Sequence, residues 1–257
     1  ALKSPAERTV LGWQSALADF LAHAGVTQPT AATRQHAIAY RSWLLTRLSP
    51  STVKTRLAYL CGLWSVLHEL HPESIHIFQG LNKRIKVAKT KKSEITVTDP
   101  AEWIGTGEQM EIFQFLYFTG ARLAEIAGLK AEDLLDDRIL IRPNESRPLK
   151  TESSERSIPI HTRLKHLAME LREKKGFLWP GQYQESNKRW GVNLSKPCRK
   201  IVGITPKGFR DRAATELRLN NINEAVVVAL LGHTPNSISM AYGAAPWSEL
   251  KRAVKLL

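Results

Sequence analysis

The chain has 257 residues and a mass of 28.9 kDa, enough for one large domain or two modest ones. Hydrophobic residues make up 43% and charged residues 24%, which excludes wholesale disorder, a collagen-like protein and a disulfide scaffold. Lys and Arg number 37 against 24 Asp and Glu, a net charge of +13 that points to nucleic acid as partner or, more blandly, to a basic protein with no polyanion.

No apolar run approaches the ~18–20 residues that span a bilayer, so no membrane partner is expected. The opening Ala1-Leu2-Lys3-Ser4-Pro5 carries no secretory apolar core. Cys61 and Cys198 lie far apart and in different contexts, so reduced thiols in a cytoplasmic compartment are expected and a zinc site is not.

Residues 6–24 read as a helix, with Leu11, Leu17, Phe20 and Leu21 at helical spacing. Thr30 can cap a second helix running to about Thr46. Pro50-Ser51-Thr52 opens a third, with Leu57, Leu60, Trp64 and Leu67 on one face. A weaker fourth follows His71-Pro72 through Ile75, Ile77, Phe78 and Leu81, completing a compact four-helix unit over residues 1–88. The basic stretch Lys83, Arg84, Lys86, Lys89, Lys91 and Lys92 closes that unit and runs into a linker over 89–98. It is either a plain mobile tether or a segment that follows DNA phosphates. The charge is uneven: residues 1–98 hold 13 basic and 5 acidic side chains.

A second domain, 99–257, is expected to be mostly helical around a small antiparallel β-hairpin, giving a mainly α fold overall. Residues 107–119 are helical and strongly apolar, and Leu123–Ala127 form a short helix after Gly120. Asp137–Arg142 and Arg156–Ile160 read as strands joined by a long polar loop containing Lys150. Residues 162–175, 184–201, 207–220 and 222–231 return to helix, and Trp247–Leu257 form a short amphipathic one. Its apolar positions Trp247, Leu250, Val254 and Leu257 suit docking on a neighbouring subunit or packing on their own domain equally well.

Common nucleotide and hydrolase signatures are missing. The sequence has no GxxxxGKS or GxxxxGKT phosphate loop, no GxGxxG, no HExxH and no GxSxG. What remains is a series of basic residues at element boundaries. Arg122 starts a helix just after a glycine turn, where its guanidinium adds to the helix amides as an anion site, or simply pairs with Glu125 one turn on. Lys150, taken alone, is a solvated loop lysine. Lys207 and Arg210 share a helix face. Leu230-Leu231-Gly232-His233 ends a helix, and Tyr242 follows nine residues after His233.

The order of these residues resembles the tyrosine recombinase (phage integrase) family. Thr119-Gly120-Ala121-Arg122-Leu123-Ala124-Glu125 is similar to its first arginine box. Lys150-Thr151 before Arg156-Ser157-Ile158-Pro159-Ile160 is similar to its hairpin lysine. Lys207-Gly208-Phe209-Arg210 is similar to its HxxR box, and Leu230–His233 with Tyr242 to its last box and nucleophile. The resemblance spans about residues 99–245, and the N-terminal unit matches the family's SAM-like core-binding domain in pattern only.

The resemblance implies a site-specific recombinase or integrase that cleaves and rejoins double-stranded DNA, most naturally of a mobile element. It implies Tyr242 as nucleophile, Arg122 and Arg210 on the scissile phosphate, Lys150 as general acid, His233 on the phosphate and Glu125 orienting Arg122. It further implies a bacterial or archaeal nucleoid setting, a homotetramer on recombining sites, and no metal or other cofactor. Lys207 departs from the family's usual His: lysine can donate to a phosphate oxygen but cannot shuttle a proton at neutral pH as imidazole does. The alternatives are a type IB topoisomerase-like nicking-closing enzyme and a DNA-binding protein with an impaired site.

Overall fold

A computed structural model describes residues 7–83, 85–88, 96–149, 154–233 and 245–257. The fold is mainly helical with a small antiparallel sheet, and the chain divides into two compact units, Ala1–Lys92 and Ser93–Leu257.

The N-terminal unit contains α1 (Glu7–Ala24), α2 (Arg34–Arg47) and α3 (Pro50–Leu70). Thr33, rather than Thr30, caps α2: its hydroxyl accepts from His36 N at 3.3 Å, and the His36 ring accepts from Thr33 N in return. Thr30 lies instead in a 3-10 turn, Pro29–Ala31. Ser49 caps α3 just before Pro50, whose missing N–H costs nothing at a helix start.

The expected fourth helix is absent. Residues 72–83 form successive turns, with Leu81 N bonded to Phe78 O and Lys83 N to Gly80 O, and Gly80 at φ +74° breaks any regular repeat. The apolar residues of that segment are still needed, since Ile77, Phe78, Leu81 and Ile85 are buried in the unit's core. Phe20 organises that core. Its ring meets Tyr40, Trp64 and Phe78 edge-on, with centroids 5.3, 5.7 and 4.9 Å away. Leu11 of α1, by contrast, points to solvent.

The C-terminal unit is built on α4 (Glu108–Thr119), rich in apolar residues and mostly buried. Around it lie α5 (Leu123–Ala127), α6 (Lys165–Arg172), α7 (Ser195–Val202), α8 (Pro206–Leu219) and α9 (Glu224–Leu231). Strands β1 (Arg138–Ile141) and β2 (Arg156–Pro159) pair antiparallel, with Ile139 opposite Ile158 and Ile141 opposite Arg156. Ile139, Ile141 and Ile158 are fully buried, the alternation expected of a sheet covered on one face.

The expected helix over 184–201 is confined to α7. Upstream of it a second small ladder, β3 (Tyr183–Gln184) with β4 (Arg189–Trp190), holds Trp190 against Phe177 and Tyr183. Lys188 at φ +50° and Gly191 at φ +68° turn the chain where a helix would continue, and a Cβ on Gly191 would lie 2.8 Å from Leu123 Cγ.

The C-terminal helix α10 (Trp247–Val254) packs on its own unit, against α9 and β2. Leu250, Ala253, Val254 and Leu257 are buried there. Trp247 Nε1 donates to Asp137, and the Arg138 guanidinium lies over the Trp247 ring at 4.3 Å. Among the described residues no helix is long and apolar enough to cross a membrane.

Replacing Phe20 by Ala removes the ring that three aromatic partners share. It should cost about 3–5 kcal/mol and lower the thermal midpoint of the N-terminal unit, read by tryptophan fluorescence of Trp64. An unchanged midpoint would contradict this account of the core.

Candidate active site

The site begins where α4 ends. Gly120 closes α4 at φ +61°, and a Cβ there would lie 2.7 Å from both Ala213 Cβ and Leu231 Cδ2. Only a glycine lets this turn sit against α8 and α9 together. Two residues on, Arg122 starts α5, as its position after the glycine turn implied.

Arg122 is held from three sides. Its guanidinium donates to Glu125 Oε1 at 2.6 Å, to the Gly232 carbonyl at 2.9 Å and to Ser154 Oγ at 3.4 Å. Glu125 Oε2 also accepts the Arg122 backbone N–H at 2.9 Å. Glu125 is 4% exposed, and its other neighbour is Arg156, whose guanidinium donates to Oε2 at 2.9 Å. Burial pushes the Glu125 carboxyl up, but Arg156 and then Arg122 outweigh it, so the net shift is below the usual carboxylate range.

Arg210 approaches from α8. It is 9% exposed and donates to the Gly120 carbonyl at 3.1 Å, while a second terminal nitrogen is buried with no hydrogen-bond partner. Burial, then the charges of Arg122 and Arg156, push its pKa down to about 10, which still leaves it charged at neutral pH. Lys207, one turn earlier on α8, is exposed and paired with Asp211. Arg122, Lys207 and Arg210 line one cavity of about 290 Å³, closed on another side by Ser195 and Thr205.

His233 follows Gly232, the left-handed cap of α9 at φ +64°. Burial first, then Arg210, Arg122, Arg218 and Arg156, lower its pKa below the ordinary imidazole value. The ring is therefore neutral at pH 7 and keeps an acceptor nitrogen.

Of the residues singled out in the sequence, Arg122, Glu125, Lys207, Arg210 and His233 thus belong to one neighbourhood. Lys83 and Lys86 are exposed on the N-terminal unit. Lys150, Tyr242, Arg84, Lys89, Lys91 and Lys92 lie outside the described residues. Sequence reasoning missed Arg156, Ser154 and the Gly232 carbonyl as parts of the site. Arg156 opens β2 as Arg138 opens β1, and nothing along the chain separates the buried guanidinium from the half-exposed one. Among the described residues no group of three or more His, Cys, Asp or Glu side chains converges as a metal site would require.

The phage integrase family model matches residues 106–246, a span that includes Arg122, Glu125, Arg156, Lys207, Arg210 and His233. The chain belongs to the phage integrase family. The integrase of Escherichia phage P2 is 25% identical over 213 residues, which cover 81% of this chain and 60% of that protein, so the chain spans less than two thirds of its relative. The fold is shared with two solved integrases. The Tn1549 transposon integrase in complex with circular intermediate DNA has a TM-score of 0.66 at 14% identity, covering 98% of this chain and 94% of that one. The lambda integrase tetramer bound to a Holliday junction has a TM-score of 0.64 at 13% identity, covering 91% and 74% respectively.

Glu125 yields a test whose sign is fixed by its lowered pKa. The carboxylate's contribution to stability is complete above the usual carboxylate range and is lost as pH falls through that range to the depressed native value. Glu125→Gln should therefore destabilise the C-terminal unit by about 3–5 kcal/mol at pH 7, because two guanidiniums lose their shared counter-charge. The gap to the parent protein, measured by urea unfolding, should narrow as pH is lowered below about 4. A gap that stays constant down to the lowest accessible pH would contradict the pairing.

Proposed function

We propose that this integrase-family chain is a site-specific DNA recombinase that exchanges strands through a 3′-phosphotyrosyl link at Tyr242. The observation that carries the reading is the buried Arg210 guanidinium with an N–H left unpartnered beside Arg122, in a cavity that both line. Buried donors are ordinarily satisfied, so an open one on a cation marks a place for an anion. Two guanidiniums presented together match the two nonbridging oxygens of a phosphodiester.

In the proposed reaction the Tyr242 hydroxyl oxygen attacks the phosphorus. The bond from phosphorus to the 5′ oxygen breaks, and Lys150 donates the proton that this oxygen needs. Arg122 and Arg210 bear the charge that grows on the nonbridging oxygens in the transition state. His233, neutral at pH 7, can accept a hydrogen bond from the tyrosine hydroxyl or take its proton. Tyrosine has an ordinary pKa of ~10, and the cationic surroundings lower the cost of its phenolate. A second DNA 5′ hydroxyl then attacks the phosphotyrosine and releases Tyr242. The bond energy is kept throughout, so the chemistry calls for neither ATP nor a metal ion.

The N-terminal unit serves as a core DNA-binding domain under this reading, with Lys83 and Lys86 exposed toward phosphates and the basic segment continuing through Arg84, Lys89, Lys91 and Lys92. The catalytic domain is the C-terminal unit. The active assembly would be a tetramer on two duplexes, in a bacterial or archaeal host of a mobile element. Lys207 supplies positive charge at the mouth of the cavity, and its pairing with Asp211 favours a reduced contribution there.

Nicked duplexes drawn from the flanking genomic DNA trap the covalent intermediate, because the freed strand diffuses away. Incubation without metal or ATP should give a protein–DNA band on denaturing gels, and Tyr242→Phe should remove it while leaving salt-sensitive DNA binding intact. A band that persists in Tyr242→Phe would overturn the assignment of the nucleophile. Lys207→His on the same substrates should raise the rate of adduct formation, and a rate at or below the parent's would show that lysine is fully competent there.

A further inference from the structure

The geometry points to Arg156 as a positioning residue that locks the phosphate-binding Arg122 and the Gly232–His233 turn into one rigid unit. The inference rests on the phosphate-clamp role proposed above for Arg122 and adds a residue to that machinery. The Arg156 side chain is only 7% exposed, so it is set behind the cavity and not at its surface. Its Nε donates to the Leu230 carbonyl in the last turn of α9 at 2.8 Å. One terminal nitrogen donates to the Ser154 carbonyl at 2.8 Å, and the other to Glu125 Oε2 at 2.9 Å. One planar group thus ties together the start of β2, the helix that carries Arg122 and the helix end that presents His233.

Two further observations fix the direction of the effect. Glu125, the carboxylate that Arg156 grips, also holds the guanidinium and the backbone N–H of Arg122. Arg122 in turn reaches the Gly232 carbonyl at 2.9 Å, so the chain of contacts from Arg156 closes on itself. Moreover, a Cβ on Gly232 would lie 2.6 Å from an Arg156 terminal nitrogen and 2.9 Å from its Cζ. The Gly232 turn is packed directly on the Arg156 plane, and His233 is the next residue. Lysine cannot replace this group, because a single ammonium on a flexible stem does not span three acceptors arranged in a fixed fork.

The test compares the parent protein with Arg156→Gln and Arg156→Lys on the nicked duplex that the parent converts to adduct. At saturating protein, Arg156→Gln should slow adduct formation roughly 100-fold, the scale of losing one oriented charge donor, with DNA affinity retained. Arg156→Lys should stay at least about 10-fold slow despite keeping the charge. The discriminating substrate carries a methylphosphonate at the scissile position. That neutral centre has less need of a cationic clamp, so the gap between Arg156→Gln and the parent should close to within about 3-fold. An equal loss on both substrates would mean a merely structural residue and would overturn the inference.

A second measurement needs no DNA. In spectra of arginine side-chain nitrogens, assigned with Arg122→Lys, the Arg122 guanidinium should show hindered rotation in the parent and averaged signals in Arg156→Gln. Arg163, paired with Asp99 away from this cluster, should be unchanged and so report an intact fold. Unchanged Arg122 signals would overturn the positioning role. If the parent forms no adduct on any duplex, the recombinase reading fails, and these spectra still decide the role of Arg156.

Discussion

The site depends on one carboxylate shared by two guanidiniums. Glu125 lies between Arg122 and Arg156, with both of its oxygens engaged. Burying Glu125 and Arg156, with Arg122 half-buried beside them, is costly in itself, and an apolar trio of the same volume would stabilise the fold at least as well. What the ionic arrangement supplies is direction. A planar guanidinium bonded on two edges cannot rotate, and Arg122 is bonded to Glu125 on one side and to the Gly232 carbonyl on another. The orientation of Arg122, the group proposed to bind phosphate, is thus set in advance, and an electrostatic catalyst of the proposed kind requires that preorganisation.

Two glycine turns make the arrangement possible. Gly120 brings the start of α5 against α8 and α9, and its carbonyl accepts from Arg210. Gly232 ends α9 against the face of Arg156 and offers its carbonyl to Arg122. Each turn adopts a left-handed backbone and leaves no room for a side chain. The two arginines proposed to meet the phosphate are consequently positioned by main-chain carbonyls of the turns, and not only by other side chains. Carbonyls of helix ends are rigid acceptors, already aligned by the helices they close.

Much of this was legible in the sequence, for physical reasons that differ by residue. Helices α4, α5, α8 and α9 follow from apolar periodicity, Gly120 and Gly232 from helix-end chemistry, and the hairpin from β-branched alternation around Ile139, Ile141 and Ile158. The Glu125–Arg122 pair is local, three residues apart, and so could be read directly. Arg156 is 31 residues from Glu125 and 74 from Leu230, and nothing along the chain announces such contacts. The misread segments fail for a related reason. Ile77, Phe78 and Leu81 are buried as their hydrophobicity demands, but a tight series of turns buries them as well as a helix does. Residues 184–191 look helical until Gly191 must pass Leu123, a constraint set by tertiary contact alone.

The same electrostatics bears on the lysine that stands where the family usually has histidine. Arg122 and Arg156 share the Glu125 carboxylate with Arg210 close by, and burial first, then the charges of these guanidiniums and Arg218, keep the His233 pKa below the ordinary imidazole value. Lys207 stands outside the buried cluster, tethered to Asp211 on the exposed face of α8. The arrangement separates two tasks. Under the proposed reaction, charge for the phosphate comes from Arg122 and Arg210, and proton movement is left to His233 and Lys150. The proposed reaction can therefore proceed without an imidazole at position 207, provided His233 alone suffices on the tyrosine side.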